Sequence, residues 1–270
     1  ALIANGVHLV GRSFKYHRPR GFFGAGVDEP YAIVQMNRNN EVDPNVRATE
    51  QELFEGLEAK SVNCWPNVDF DIGAINNFLG KFFPAGFYYK TFMWPKSFWY
   101  KVYEPIIRKA AGFGEASIKH DKEKYEHKYE YCDLLITGSG PSGLASAYAA
   151  AQNGAKVILA EDKSRFGGSL LTSEVTIGNQ SGQEWAEKII SELKSMPNVV
   201  IKNRSQVFGY YDHNMLVMSE RISDHLPKTE KYIPKQRLWY IRAKEVIISS
   251  GSIERPLVFG NNDTPGVMLS

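Results

Sequence analysis

The chain predicts an α/β fold, and the prediction rests on residues 132–161, CDLLITGSGPSGLASAYAAAQNGAKVILAE. A short apolar strand, Leu134 to Thr137, runs into Gly138, Ser139, Gly140, Pro141, Ser142 and Gly143. An Ala-rich helix follows, and a second apolar strand, Lys156 to Ala160, ends on Glu161. Strand, glycine loop, helix, strand and acid in that order make the βαβ unit that binds dinucleotides, a Rossmann-like arrangement of FAD/NAD type. Gly138 permits the tight turn out of the strand. Gly140 lets the backbone approach a pyrophosphate, and Gly143 lets the helix pack close to the sheet. The helix N-terminus offers free N–H groups and the positive end of its dipole. Glu161, about 20 residues on, is placed to accept hydrogen bonds from ribose hydroxyls.

Composition narrows the class. The 270 residues suffice for one large or two ordinary domains. A hydrophobic share of 43% against 23% charged predicts a packed core. Net charge is +2, from 32 basic and 30 acidic residues, which argues against a dedicated nucleic-acid binder. Cys64 and Cys132 stand far apart, without CxxC or Cys/His spacing, which argues against a disulfide scaffold or zinc site. That usage fits a reducing, cytoplasmic compartment. No run of about 18 apolar residues predicts a membrane span. The N-terminal stretch lacks the apolar core and small-residue cleavage site of a signal peptide.

Along the chain, residues 1–114 come first. They open on a basic segment with Arg12, Lys15, Arg18 and Arg20, read as a solvated entry segment or a phosphate or acidic-patch contact. Tyr31 to Met36 reads as a strand, with Asn37 to Asn40 as its turn. The stretch from Pro66 to Trp99 is dense in aromatics: Phe82, Phe83, Phe87, Tyr88, Tyr89, Phe92, Trp94, Phe98 and Trp99, with Tyr100 beyond. It suits either a core or an interface. Ser97 is a candidate N-cap for a helix through Ala111, ended by Gly112, with Pro105 forcing a kink or a later start.

Residues 115–130, EASIKHDKEKYEHKYE, alternate in charge and read as a solvated linker or exposed helix. His120 and His127 fall here, and their lysine neighbours argue against a metal site. Residues 131–270 hold the dinucleotide unit. Ser181 to Ser195 predicts an amphipathic helix with a Ser181–Glu184 capping box. Val199 to Ile201 reads as a strand. Gln206–Tyr211, Asn214–Ser219 and Arg237–Arg242 read as a meander, and Glu245 to Ser249 as a last buried strand. The chain starts without Met and stops after an apolar run, so it reads as a piece of a longer polypeptide. Cys132 reads as a small buried hydrophobe. No Ser/His/Asp triad or paired-carboxylate arrangement emerges, so no catalytic and no metal residue is assigned.

Longer strings carry a family resemblance. They are KYHRPRGFFGAGVDEP (15–30), VDPNVRAT (42–49), FPAGFYYKTFMWP (83–95), WYKVYEPIIRKAAGFG (99–114), GSGPSG (138–143), FGGSLL (166–171) and SGSIERPLVFGNNDTPGVML (250–269). Over nearly its whole length the chain resembles the N-terminal third of the alpha subunit of heterotetrameric sarcosine oxidase. The resemblance implies NAD in the dinucleotide domain. For the complete complex it implies FAD, FMN and tetrahydrofolate, with beta, gamma and delta subunits as partners and no nucleic acid or membrane. The implied reaction oxidises sarcosine to glycine, releases hydrogen peroxide and delivers a one-carbon unit to tetrahydrofolate, on flavins held mainly by another chain. The same resemblance makes residues 1–114 a smaller α+β domain similar to a 2Fe–2S ferredoxin that lost its cluster. Cluster ligation takes typically four cysteines, and this stretch has Cys64 alone.

Carried over residue by residue, Gly138, Gly140 and Gly143 match the pyrophosphate loop and Glu161 the ribose acid. Gly167 and Gly168 match a second close-approach glycine pair. Ser249 to Ser252 stand where many relatives have Ala-Thr-Gly, which adds Ser250 and Gly251 to the candidate contacts. Asp162, Lys163 and Arg165 surround the acid. Lys163 or Arg165 suits a 2′-phosphate, but Glu161 would repel one, which favours NAD over NADP. A flavin stays open, because the loop reads the ADP half that NAD and FAD share. Opine or amino-acid dehydrogenases and hydrogen cyanide synthase share the loop and the ferredoxin-like start, so those substrates stay open too. A non-catalytic assembly module with a relic dinucleotide is a third reading.

Overall fold

The computed structural model describes residues 2–38, 41–82, 86, 90–227 and 232–269. They divide into two units, one of Ala1–Asp121 with Ile253–Ser270 and one of Lys122–Ser252. Among the described residues no helix is long and apolar enough to cross a membrane.

The first unit carries β1 (Gly11–Arg12) paired with β2 (Pro19–Arg20), and an antiparallel sheet in which β3 (Ile33–Arg38) lies between β4 (Glu41–Arg47) and β5 (Glu58–Ser61). Every second residue of β3 is buried, so Val34 and Met36 join Val10 and Ala32 in a small core. The expected strand thus starts two residues later, and Asn37 lies within it. Asn39 and Asn40 of the expected turn lie outside the described residues. After α1 (Ile75–Phe78), a π-turn at Trp99–Tyr103 leads into α2 (Glu104–Ala111). Pro105 takes the first turn of α2, where its missing N–H costs nothing, so the helix begins later than Ser97. Gly112 ends it in the left-handed conformation. Phe82, Trp94, Phe98, Trp99 and Tyr100 are exposed in this chain rather than in its core. Phe83, Phe87, Tyr88 and Tyr89 lie outside the described residues.

The tail after Ser252 groups with this first unit, not with the dinucleotide unit where the sequence put it. Charge explains the attachment. Arg18 donates to both carboxylate oxygens of Asp263 at 2.8 Å, and Arg20 pairs with the same carboxylate. The Arg18 hydrogen bonds, with the Arg20 charge beside them, hold Asp263 down to about 2. Leu269 N–H also donates to the Phe23 carbonyl at 2.8 Å.

The second unit is one sheet of six strands: β6 (Tyr125–Thr137), β7 (Val157–Ala160), β10 (Val199–Lys202), β11 (Ser205–Tyr211), β12 (Met215–Arg221) and β13 (Gln236–Ile248). The small hairpin β8 (Thr176–Ile177) and β9 (Gln180–Ser181) stands apart. Spatial order is β10-β7-β6-β13-β12-β11. The first four run parallel, and β12 and β11 antiparallel. Helices α3 (Pro141–Gln152) and α4 (Gly182–Ser195) connect the parallel strands. Every residue of β7 is buried. Val157 and Leu159 pack with Leu144, Ala147, Ile189, Ile190 and Leu193 of the helices, while Ile158 and Ala160 pack with Leu216, Met218 and Ile241. Burial on both faces is the reason β7 reads as continuously apolar. Each large side chain so buried stabilises by about 1.5–3 kcal/mol. The Ser181–Glu184 capping box forms as expected.

Two expectations change in this unit. Residues 125–130 are strand, not linker. Tyr125, His127, Tyr129 and Tyr131 share one face of β6, and Tyr129 stacks on Tyr240 with ring centroids 5.1 Å apart. The third meander strand and the last strand are also one element, β13. Its antiparallel partner ends at Met215↔Arg242, but β6 continues alongside it to Ile248↔Thr137. No turn-forming residue interrupts Ala243–Lys244. The segment read as a last buried strand is half-open, with Ile248 66% exposed.

Candidate dinucleotide site

Because β6, β7 and β13 run parallel, their C-terminal ends lie side by side. The glycine loop follows β6, Glu161 follows β7, and Ser250 and Gly251 follow β13. Ligands of open α/β sheets sit at that edge.

Gly138 turns out of β6 with φ +93°, and a Cβ there would lie 2.3 Å from the Ser249 carbonyl oxygen. Only glycine satisfies both the left-handed backbone and that approach. A Cβ on Gly143 would lie 1.9 Å from the Gly138 carbonyl oxygen, so the first turn of α3 rests directly on the loop. At Gly168 a Cβ would meet Gly140 Cα at 2.9 Å, which brings the second glycine pair against the first. Gly140 is the exception in the loop: apart from its adjoining chain, no heavy atom lies within 4 Å of its Cβ position. Gly140 is also the N-cap of α3, with Pro141 in the first turn. The N–H groups of Ser142 and Gly143 have no intrahelical carbonyl to bond. The open face over Gly140 is therefore lined by a helix N-terminus, the setting in which phosphates bind.

Glu161 is 5% exposed. Its Oε2 accepts from Ser139 N–H at 2.9 Å and from Ser139 Oγ at 2.5 Å, and its Oε1 accepts from Lys163 N–H at 3.1 Å. Burial pushes its carboxyl above the ordinary carboxylate range, and the neighbouring Asp162 side chain adds to that, against the Ser139 hydrogen bonds. Ser139 is fully buried, and its carbonyl oxygen and Oγ accept from Gly167 N–H at 3.1 and 3.2 Å. One serine thus ties together the loop, the acid and the second glycine pair. Asp162 is half-buried, and Lys163, Ser250 and Gly251 are exposed beside them.

Sequence reading missed the groups that hold the acid loop. Ser205 N–H donates to the Glu161 carbonyl at 2.7 Å, Arg204 N–H to the Lys163 carbonyl at 3.0 Å, and Arg221 Nη2 to the Asp162 carbonyl at 3.1 Å. These partners lie on β11, β12 and the turn before them, where no motif marks them. Burial pushes the Cys132 thiol up to about 12, which suits a packing residue. Among the described residues no group of three His, Cys, Asp or Glu side chains is placed for a metal ion.

Comparison with known proteins adds to this geometry. Residues 1–64 match the family model for a 2Fe-2S iron-sulfur cluster binding domain, and residues 133–212 that for an FAD dependent oxidoreductase. Over all of its length the chain is 52% identical to sarcosine oxidase subunit alpha of Rhizobium meliloti (strain 1021), and it covers 27% of that protein. It is 30% identical to sarcosine oxidase subunit alpha of Corynebacterium sp. (strain P-1), again over 100% of the chain, and covers 24% of that protein. The chain spans about a quarter of the length of these relatives. Among solved structures, L-proline dehydrogenase from P. horikoshii is similar over 98% of this chain and 39% of its own, at 18% identity and a TM-score of 0.57, a likeness of fold. The iron–sulfur match meets a donor set that does not fit. Cluster ligation takes typically four cysteines, and residues 1–64 contain Cys64 alone.

Proposed function

Because this chain belongs to the sarcosine oxidase alpha-subunit family, we propose that it forms the dinucleotide-holding part of such a subunit, with NAD as the cofactor. The observation that carries the reading is the open face at Gly140, framed by the first turn of α3 and Gly168, with Glu161 tied to the adjoining Ser139. Backbone N–H groups of Ser142 and Gly143 hold the pyrophosphate. Glu161 accepts from the ribose hydroxyls, and Gly251 and Ser250 border the cofactor at the end of β13. The acids Glu161 and Asp162 disfavour a further 2′-phosphate, which supports NAD over NADP. NAD supplies hydride-transfer capacity when bound. This chain's residues bind and orient it, and none of them is assigned to the amine oxidation.

The complete complex, on this reading, oxidises sarcosine to glycine with release of hydrogen peroxide and transfer of a one-carbon unit to tetrahydrofolate. Beta, gamma and delta subunits, FAD and FMN complete it. The match of residues 133–212 to FAD dependent oxidoreductases favours a second reading, FAD in the same cradle. Both cofactors present the same ADP half to the glycine loop.

Chromatography of the nucleotide released by denaturing the full-length protein tests the assignment. NAD is expected. Release of FAD in equal amount to the chain replaces it with the second reading, and release of neither rejects both. Sarcosine-dependent peroxide formation by the complete complex is expected. Its absence removes the substrate assignment and leaves the nucleotide result standing.

A further inference from the structure

Residues 22–32 form a loop in the first unit with Glu29 at its centre, 1% exposed. The Glu29 carboxylate accepts four backbone hydrogen bonds. Phe23 and Gly24 N–H donate to Oε2 at 2.7 and 2.8 Å, and Tyr31 and Ala32 N–H donate to Oε1 at 2.6 and 2.9 Å. Two bonds to each oxygen use all of its lone-pair positions. A buried carboxylate is costly unless it is hydrogen-bonded in this way. The loop around it is fixed as well. Arg47 Nε donates to the Glu29 carbonyl at 3.2 Å, Thr49 Oγ1 to the Gly26 carbonyl at 2.8 Å, and the Phe23 and Tyr31 rings meet at 5.3 Å.

Backbone N–H groups that converge from two sides of a loop make an anion-holding concavity, a type that iron–sulfur sites use. Residues 1–64 match that class of domain but lack its cysteine ligands. We infer that the Glu29 carboxylate is the built-in anion of this loop. It fills, from within the chain, a concavity suited to an anionic cluster, so that the domain folds without metal. The inference does not depend on which nucleotide the second unit holds.

Hydrogen–deuterium exchange of the full-length protein, read by mass spectrometry, tests it. In Glu29→Gln only one carboxamide oxygen accepts, and an NH2 group faces the other two donors. Phe23, Gly24, Tyr31 and Ala32 amides are expected to exchange roughly tenfold to a hundredfold faster, with β6 and β7 unchanged. In Glu29→Ala the vacated space is expected to take formate, and added formate to restore protection at the same four amides. Treatment of the wild type with iron and sulfide is expected to leave the protein iron-free. Wild-type protection in the Gln variant overturns the inference. So does an Ala variant that stays folded but gains no protection from formate, or iron uptake by the wild type. If the Ala variant fails to fold, the Gln variant decides.

Discussion

The loops at residues 22–32 and 138–143 solve one electrostatic problem in opposite ways. In the first, four N–H groups converge and a side chain from the same loop, Glu29, fills the space between them. In the second, the space beside Gly140 at a helix start is open, and the carboxylate of Glu161 accepts from the backbone N–H groups of Ser139 and Lys163. The difference teaches that a concave run of amides does not by itself make a ligand site. What decides is whether the chain supplies its own anion. On our proposals the closed loop is a structural element, and the open one is where the nucleotide binds.

Substitutions can break that contrast. The largest effect is expected from Gly143→Ala, whose new Cβ would lie 1.9 Å from the Gly138 carbonyl oxygen. Pushing α3 off the loop should cost about 3 kcal/mol and abolish nucleotide retention, read by urea melting and by released nucleotide. Ser139→Ala should cost about 2 kcal/mol, since it deletes a hydrogen bond to the Glu161 carboxylate and leaves the loop loosely tied. Retention should weaken with it.

Asp263→Asn tests the tail that lies against the closed loop. Asp263 sits at about 2, below an ordinary value near 3.9. Its contribution is present above roughly pH 4 and is lost as pH falls towards 2. Because the group is partly exposed, we expect about 1–2 kcal/mol at neutral pH. The wild type should lose that increment in acid melts while the variant stays flat. Glu161 should behave in the opposite sense, since its pKa is raised. In nucleotide-free protein its contribution is present below about pH 4.3 and is lost as pH rises through the raised value.

The smallest effect on stability is expected from Gly140→Ala. Its φ of −64° is ordinary and its Cβ meets nothing, so melting should move by less than about 0.5 kcal/mol. Nucleotide affinity should still fall on the order of tenfold, because the methyl enters the space the pyrophosphate needs. Equal losses of stability and affinity would remove the distinction between an open and a closed loop.

Local pattern explains what the sequence made legible. The βαβ unit, Glu161 at the end of β7, and α4 with its capping box are each set within a few residues, by alternation, glycine spacing and caps. The missed features depend on distant partners. Residues 125–130 become strand only because Gln236–Arg242 lie beside them, and β13 is one strand only because β6 runs its full length. The tail joins the first unit through Arg18, 245 residues from Asp263. Glu29 showed no motif at all, since its role follows from where four backbone amides point.

The continuity of β13 carries a consequence for how this protein can change over time. At about 3.3 Å per residue, its 13 residues act as a ruler some 40 Å long. Gln236, paired with Arg221 and Tyr125, fixes the register at one end, and Ser249 rests on Gly138 at the other. A single inserted or deleted residue in that ruler would turn every following side chain to the other face and shift Ser250 away from the proposed cofactor edge. Length variation should therefore collect outside 236–248, and this strand should be the part of the unit least able to tolerate it.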